Sequence, residues 1–231
     1  MADLHVLVPA PVLGPASWQP VAAELTAGGA RATVVSLAGF TDGGPPYAPR
    51  LVRRCAEQAA AAVADSPGTD RVVLVVHSGA GPFAARLAAA VPATPAGVAV
   101  VFADAGLPAA DGPTPVVGGD FLPYLSRLAR DGVVPAWPQW FPEASPAELY
   151  PSETARAAVL ADARPLPLSF FHEQLPAAPM PAQARYLLFS DGYGPEAEAA
   201  RKRGWPVAEL PGTHLHMLVD PAAVAAALVS W

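Results

Sequence analysis

Short apolar runs recur along this chain at regular intervals, each followed by an alanine-rich stretch with helical spacing. Leu4–Val8, Ala32–Ser36, Arg71–His77, Gly97–Ala103, Tyr186–Ser190 and Val207–Leu210 are rich in Val, Leu and Ala with few charges, as in strands buried on both faces. Between them Trp18–Gly28, Pro49–Ala64, Gly81–Ala90, Gly194–Arg203 and Pro221–Ser230 read as helices, with Gly28, Gly29 and Gly204 placed as C-caps. Strand and helix in alternation predict an α/β protein: a mostly parallel, six-stranded sheet with helices on both faces. No internal repeat is visible.

The rhythm stops between residues 107 and 183, where proline and aromatic residues gather. Phe121, Tyr124, Trp137, Trp140, Phe141, Phe170 and Phe171 fall in this block. It is too long for an ordinary connection and is expected to form a helical lid, with helices over Phe121–Arg130, Ser145–Leu149, Ser152–Asp162 and Leu166–Glu173. The segment Trp137-Pro-Gln-Trp140-Phe141 either fills space beneath that lid or, with Phe121 and Tyr124, lines an apolar pocket.

The third apolar run ends abruptly in His77-Ser78-Gly79-Ala80-Gly81-Pro82. A strand that stops and turns sharply into a helix lifts one side chain above the sheet edge, and only small neighbours fit such a turn. Ser78 is therefore the candidate nucleophile; the plainer alternative is a buried strand ending in a glycine turn.

Composition narrows the partners. The chain has 231 residues, 52% of them hydrophobic, enough for one α/β domain with a sizeable core. A net charge of −6 with 14 Lys and Arg lacks the clustered cations of a nucleic-acid surface. No apolar run reaches the roughly 18 residues of a membrane span. The N-terminal residues show no charged region or cleavage site of a signal peptide, and Cys55, which reads as a packing residue, has no second cysteine to pair with. Together these predict a cytoplasmic protein.

Serine needs a base within reach. His214, in Pro211-Gly-Thr-His214 after the last strand, can hang back over the sheet's C-terminal edge, whereas His216 reads as a packed histidine behind it. The H-x-H pair has no third ligand beside it, so no metal is expected.

With these residues in place the chain resembles a compact α/β-hydrolase over nearly its whole length, carried by Gly14-Pro-Ala-Ser-Trp18, His77-Ser78-Gly79-Ala80-Gly81 and Pro211-Gly-Thr-His214. It is most similar to the small esterase and hydroxynitrile-lyase-like branch and begins at what that family counts as its third strand. The Ala-, Pro- and Gly-rich composition resembles that of actinobacterial members, which often serve specialised metabolism. The resemblance implies one domain spanning 1–231, no cofactor, and a small-molecule or carrier-bound acyl substrate; it leaves the oligomeric state open.

Two departures from the family pattern bear on mechanism. The family's H-G-x segment, whose third amide helps form the oxyanion hole with the amide after the nucleophile, corresponds here to Pro9-Ala10-Pro11. Proline has no amide hydrogen, which leaves Gly79 N–H and, one residue on, Val12 N–H, and makes Pro11 part of the pocket wall. The family's usual acid position falls nearer Tyr193 than Asp191, whereas Asp104 ends the strand beside the elbow, as the acid does in some members. The expected triad is thus Ser78, His214 and Asp104. The resemblance implies a serine hydrolase of an ester or thioester with an apolar acyl group; a cyclase or lyase on the same triad, or a catalytically silent binding protein, are the other readings.

Overall fold

The computed structural model describes residues 2–119, 121–141 and 149–230. Its main sheet comprises β1 (Asp3–Val8), β2 (Arg31–Val34), β3 (Arg71–Ser78), β4 (Val98–Ala105), β5 (Gln183–Leu188) and β6 (Val207–Glu209). They lie in the order β6-β5-β4-β3-β1-β2, and every neighbouring pair is parallel. Alternation along each strand sends residues to opposite faces. Leu4, Val6, Val8, Leu74, Val76, Val100 and Phe102 enter one core with α2 (Ala48–Ala64), α3 (Ala84–Ala90) and α7 (Gly194–Lys202). Leu7, Val73, Val75, Val101 and Ala103 enter the other, against α1 (Gln19–Ala27) and α8 (Pro221–Val229). The fold is therefore the expected one, helices covering both faces of a parallel sheet.

Strand ends differ from the sequence reading in places. The strand expected over Tyr186–Ser190 starts earlier, at Gln183, because Gln183 pairs with Ala99 and its Oε1 accepts from the Arg71 guanidinium at 2.7 Å. Buried Arg71 is also bound by Asp3, which makes a polar strand start tolerable.

Between β4 and β5 the chain leaves the sheet and forms α4 (Leu122–Leu128), α5 (Glu153–Asp162) and the one-turn α6 (Leu168–Phe171). Ser152 caps α5 by accepting from Ala155 N. The helix expected over Leu166–Glu173 is a correction: Leu166–Pro167 pairs antiparallel with Val133–Val134, α6 makes its single turn, and Gln174–Leu175 pairs with Thr114–Pro115. Pro165 and Pro167 flank Leu166, and proline has no N–H to donate and is tolerated only in a helix's first turn, not in its interior. Of the helix expected over Ser145–Leu149, residues 145–148 lie outside the described residues.

Two carboxylates fasten this excursion to the layer below. Glu173 accepts from Tyr47 N (2.6 Å) and Ala48 N (2.7 Å), satisfying free amides where α2 begins. Asp162, at the end of α5, accepts from Ala16 N at 2.8 Å in the loop after β1.

Candidate active site

The C-terminal ends of β3, β4 and β5 and the loop after β6 converge on one cavity of about 590 Å³. β3 runs apolar and buried to His77, then breaks at Ser78, whose φ of 53° lies in the left-handed region that a non-glycine residue enters only when held there. The glycine this turn demands is Gly81: a Cβ there would meet the Gly106 carbonyl oxygen at 1.9 Å. Ala80, at the position of the family's second glycine, is fully buried without difficulty. Ser78 thus stands at the cavity floor, as a strained elbow requires.

β4 carries a second break. The pairing of β3 with β4 slips after His77, so that Ser78 faces Ala105, and Asp104 takes φ 44° at that irregularity. Tyr186 pins the strand end, its hydroxyl accepting from Ala105 N (3.0 Å) and donating to Ala105 O (2.9 Å). The Asp104 side chain is fully buried yet fully engaged. Its Oδ1 accepts from Phe189 N (2.8 Å) and Ser190 N (3.0 Å), and its Oδ2 from Ser190 Oγ (2.6 Å) and His214 Nδ1 (2.8 Å). Burial pushes its pKa up, but hydrogen bonds from His214 and Ser190 and the His214 charge outweigh this and hold the carboxyl below its ordinary value. Asp191, the alternative acid, is exposed in the one-turn helix Asp191–Tyr193.

A carboxylate can only accept, so His214 Nδ1 carries the hydrogen, and in the neutral ring Nε2 is the nitrogen that keeps its lone pair. The ring is clamped on both faces. His77 stacks at 4.6 Å between centroids and Tyr193 at 4.9 Å, its ring nearly parallel to that of His214. His77 Nε2 donates to the His214 carbonyl at 3.1 Å, and Trp18, from the Gly14–Trp18 segment, packs edge-on against His77. Burial first, then the neighbouring His214 charge, hold His77 well below the usual histidine pKa, so it is neutral. His216 packs over Gly212, where a Cβ would come within 2.2 Å of its ring, and against Phe189. Among the described residues no group of three His, Cys, Asp or Glu side chains is arranged to hold a metal ion.

The loop after β1 closes the other side. Leu13 N donates to Ala10 O at 2.9 Å, making a tight turn with Pro11 and Val12 at its centre. Among the described residues neither Val12 N nor Gly79 N has an intramolecular acceptor, and both residues line the cavity.

Pro11, Phe121, Trp137, Trp140 and Phe141 also line it, as do Phe170 and Phe171. Tyr124 does not: it stacks between Phe121 and Phe141 and its hydroxyl donates to the Trp140 carbonyl, so it backs the wall rather than forming it. The sequence reading missed Ser190, Tyr193 and Glu196, which add polar groups to the lining. Ser78 Oγ makes its hydrogen bond with Tyr193 Oη, at 3.1 Å, and not with His214.

A family model described as the alpha/beta hydrolase family matches residues 6–227. The chain belongs to that family. Among solved structures it is similar to an extracellular α/β-hydrolase from a Paenibacillus species, with a TM-score of 0.72, 19% identity and cover of 100% of this chain and 98% of that one. It is likewise similar to tomato methylketone synthase I bound to β-ketoheptanoate (TM-score 0.70, 16% identity, 100% and 97% covered). A pyrethroid hydrolase from Sphingobium faniae gives a TM-score of 0.70 at 20% identity, with 99% and 96% covered. These likenesses establish the fold. No curated protein matches the chain. Among the described residues no helix is long and apolar enough to cross a membrane.

Proposed function

We propose that this family member is a serine esterase for substrates with an apolar acyl group, working through Ser78, His214 and Asp104. The observation that carries the reading is the Asp104–His214 contact, 2.8 Å long with the carboxylate fully buried, His214 lining the same cavity as the strained Ser78. In the mechanism, the Ser78 hydroxyl turns to His214 and gives its proton to Nε2 as Oγ attacks the ester carbonyl. Asp104 holds the tautomer that leaves Nε2 free and stabilises the imidazolium. Gly79 N–H and Val12 N–H receive the oxyanion, so the turn through Val12 replaces the donor that Pro11 lacks. The C–O bond then breaks, the alcohol takes the proton from Nε2, and water repeats the sequence on the acyl-enzyme.

The acyl chain lies among Trp137, Trp140, Phe170 and Phe171, and the residue 106–182 excursion acts as the lid over it. The cavity volume is in the range that holds a small molecule or the end of a carrier-bound acyl chain. A lone, buried cysteine suits a reducing compartment such as the cytoplasm. A silent binding protein would have no need to keep a buried carboxylate on one histidine nitrogen.

Fluorophosphonate labelling and hydrolysis of p-nitrophenyl acyl esters test the reading. Wild type should take the label and turn over; Ser78→Ala should do neither while melting as wild type does. Label without ester turnover would favour the cyclase or lyase reading, and turnover by Ser78→Ala within a few-fold of wild type would sink the covalent mechanism.

A further inference from the structure

Tyr193 occupies the region where the family pattern led the acid to be expected, yet its hydroxyl is 3.1 Å from the Ser78 oxygen and its ring lies flat on His214. The mechanism above gives it nothing to do. Two kinds of group line the cavity around Ser78: Gly79 and Val12, whose amides have no acceptor among the described residues, and the stacked pair His214 and Tyr193. An ester bound with its carbonyl oxygen at the amides must direct its alkoxy oxygen toward His214, because that oxygen collects the proton from Nε2. The Tyr193 hydroxyl, at hydrogen-bond distance from Ser78 Oγ and stacked on the base, is next to that same place.

We propose that Tyr193 is a further catalytic residue of the esterase reaction, donating its O–H to the alkoxy oxygen of the substrate as the scissile C–O bond breaks. The inference rests on the serine-esterase reading above. In the free protein the hydroxyl shares a hydrogen bond with Ser78 Oγ that either oxygen can donate. When the ester is attacked, the Ser78 proton passes to His214 Nε2 and the new Oγ–C bond forms. The bonding pair of the scissile C–O bond then moves to the alkoxy oxygen, which takes the proton from Nε2 and accepts the hydrogen bond from Tyr193. Tyr193 keeps its own proton throughout, so the products are the acyl-enzyme and the alcohol.

Two further observations agree. Burial chiefly, with the charges of Asp104 and Glu196 adding to it and the Ser78 hydrogen bond opposing, pushes the Tyr193 hydroxyl up to about 12, so it is a protonated donor at neutral pH. Glu196 Oε2 is buried without a partner among the described residues and lines the same end of the cavity, a carboxylate suited to an alcohol portion that brings a hydrogen-bond donor. The alcohol side of the substrate is therefore the polar one, and its acyl side the aromatic one.

Tyr193→Phe tests this, since it keeps the ring against His214 and removes only the hydroxyl. The assay is kcat/KM, which reports acylation, across ethyl, phenyl and p-nitrophenyl esters of one acid. Ethyl ester hydrolysis should fall about 10- to 100-fold with KM little changed, the p-nitrophenyl ester by less than about threefold, and the rate should grow steeper against alcohol pKa. Fluorophosphonate labelling should hold its wild-type rate, because fluoride leaves without a proton. Equal losses on all three esters would mean the hydroxyl acts on Ser78 and would overturn the assignment, as would no loss or a gain on the ethyl ester. A wild-type protein that neither labels nor hydrolyses any ester removes the esterase reading itself; a competent wild type with an indifferent Tyr193→Phe removes only this inference.

Discussion

Asp104→Asn is the substitution whose effect is most fully fixed by geometry. Oδ1 faces two backbone N–H groups that cannot turn away, so the amide oxygen must take that place and the amide nitrogen must take the place of Oδ2. There it meets Ser190 Oγ, which can rotate to accept, and His214 Nδ1, which can accept only by giving up its hydrogen. The imidazole proton then moves to Nε2, the atom that has to receive the Ser78 proton. A wrong tautomer of this kind lowers kcat by about 10⁴ in a serine triad. Stability also falls. The Asp104 pKa is lowered in the folded protein, so its partners outweigh the cost of burying the charge, and a neutral isostere forfeits that surplus. Replacing charge-assisted bonds by neutral ones should cost about 1–2 kcal/mol, a fall in Tm of roughly 2–8 °C for a chain of this length. Ester turnover and thermal melts on Asp104→Asn beside Asp191→Asn measure both effects, with exposed Asp191 expected to leave each within a few-fold or a degree. A kcat for Asp104→Asn within tenfold of wild type, or a larger loss in Asp191→Asn, would refute the reasoning.

Pro11→Ala should change hydrolysis of activated esters by no more than a few-fold if, as proposed, the Val12 amide is the second donor; a tenfold or greater rise would show an incomplete hole. Gly81→Ala should prevent recovery of folded protein or melt far below wild type, since its Cβ would overlap a backbone carbonyl, and a wild-type melting curve would contradict the tight elbow. The lowered His77 pKa makes the unfolded chain bind protons first, so stability is lost as pH falls through about 6.5. Urea unfolding should show His77 contributing about 1 kcal/mol of loss between pH 6.5 and 5.5 at full burial, and His77→Gln should flatten the profile by that amount; an unchanged profile would mean His77 is not buried neutral.

The parallel sheet was legible because strands buried on both faces must be apolar throughout, and Arg71–His77 breaking into small residues could hardly be read another way. The placement of Asp104 and His214 at the sheet's C-terminal edge was legible for a related reason: each lies at or after a strand end that the sequence marks. Tyr193 was not, since its approach to Ser78, 115 residues distant, depends on β4 lying between β3 and β5 and on the length of one short turn. The ladders around Leu166 were misread as helix although Pro165 and Pro167 advertised the break. Glu173 could not be recognised as a cap for α2, because that pairing is tertiary and leaves no local pattern.

Gly14 and Asp162 meet so closely that a Cβ on Gly14 would lie 2.4 Å from the aspartate side chain, and the same carboxylate holds Ala16 N. The segment so gripped follows Val12 by only a few residues. Hinging α5 outward to admit a bulky ester would therefore tug on the backbone that presents the Val12 amide, and returning it would set that amide back in position. On the proposed mechanism, substrate entry and assembly of the anion-binding cradle would then share one mechanical link, so that an open enzyme would be unready to react and water would find the acyl carbonyl unpolarised until the cover is home.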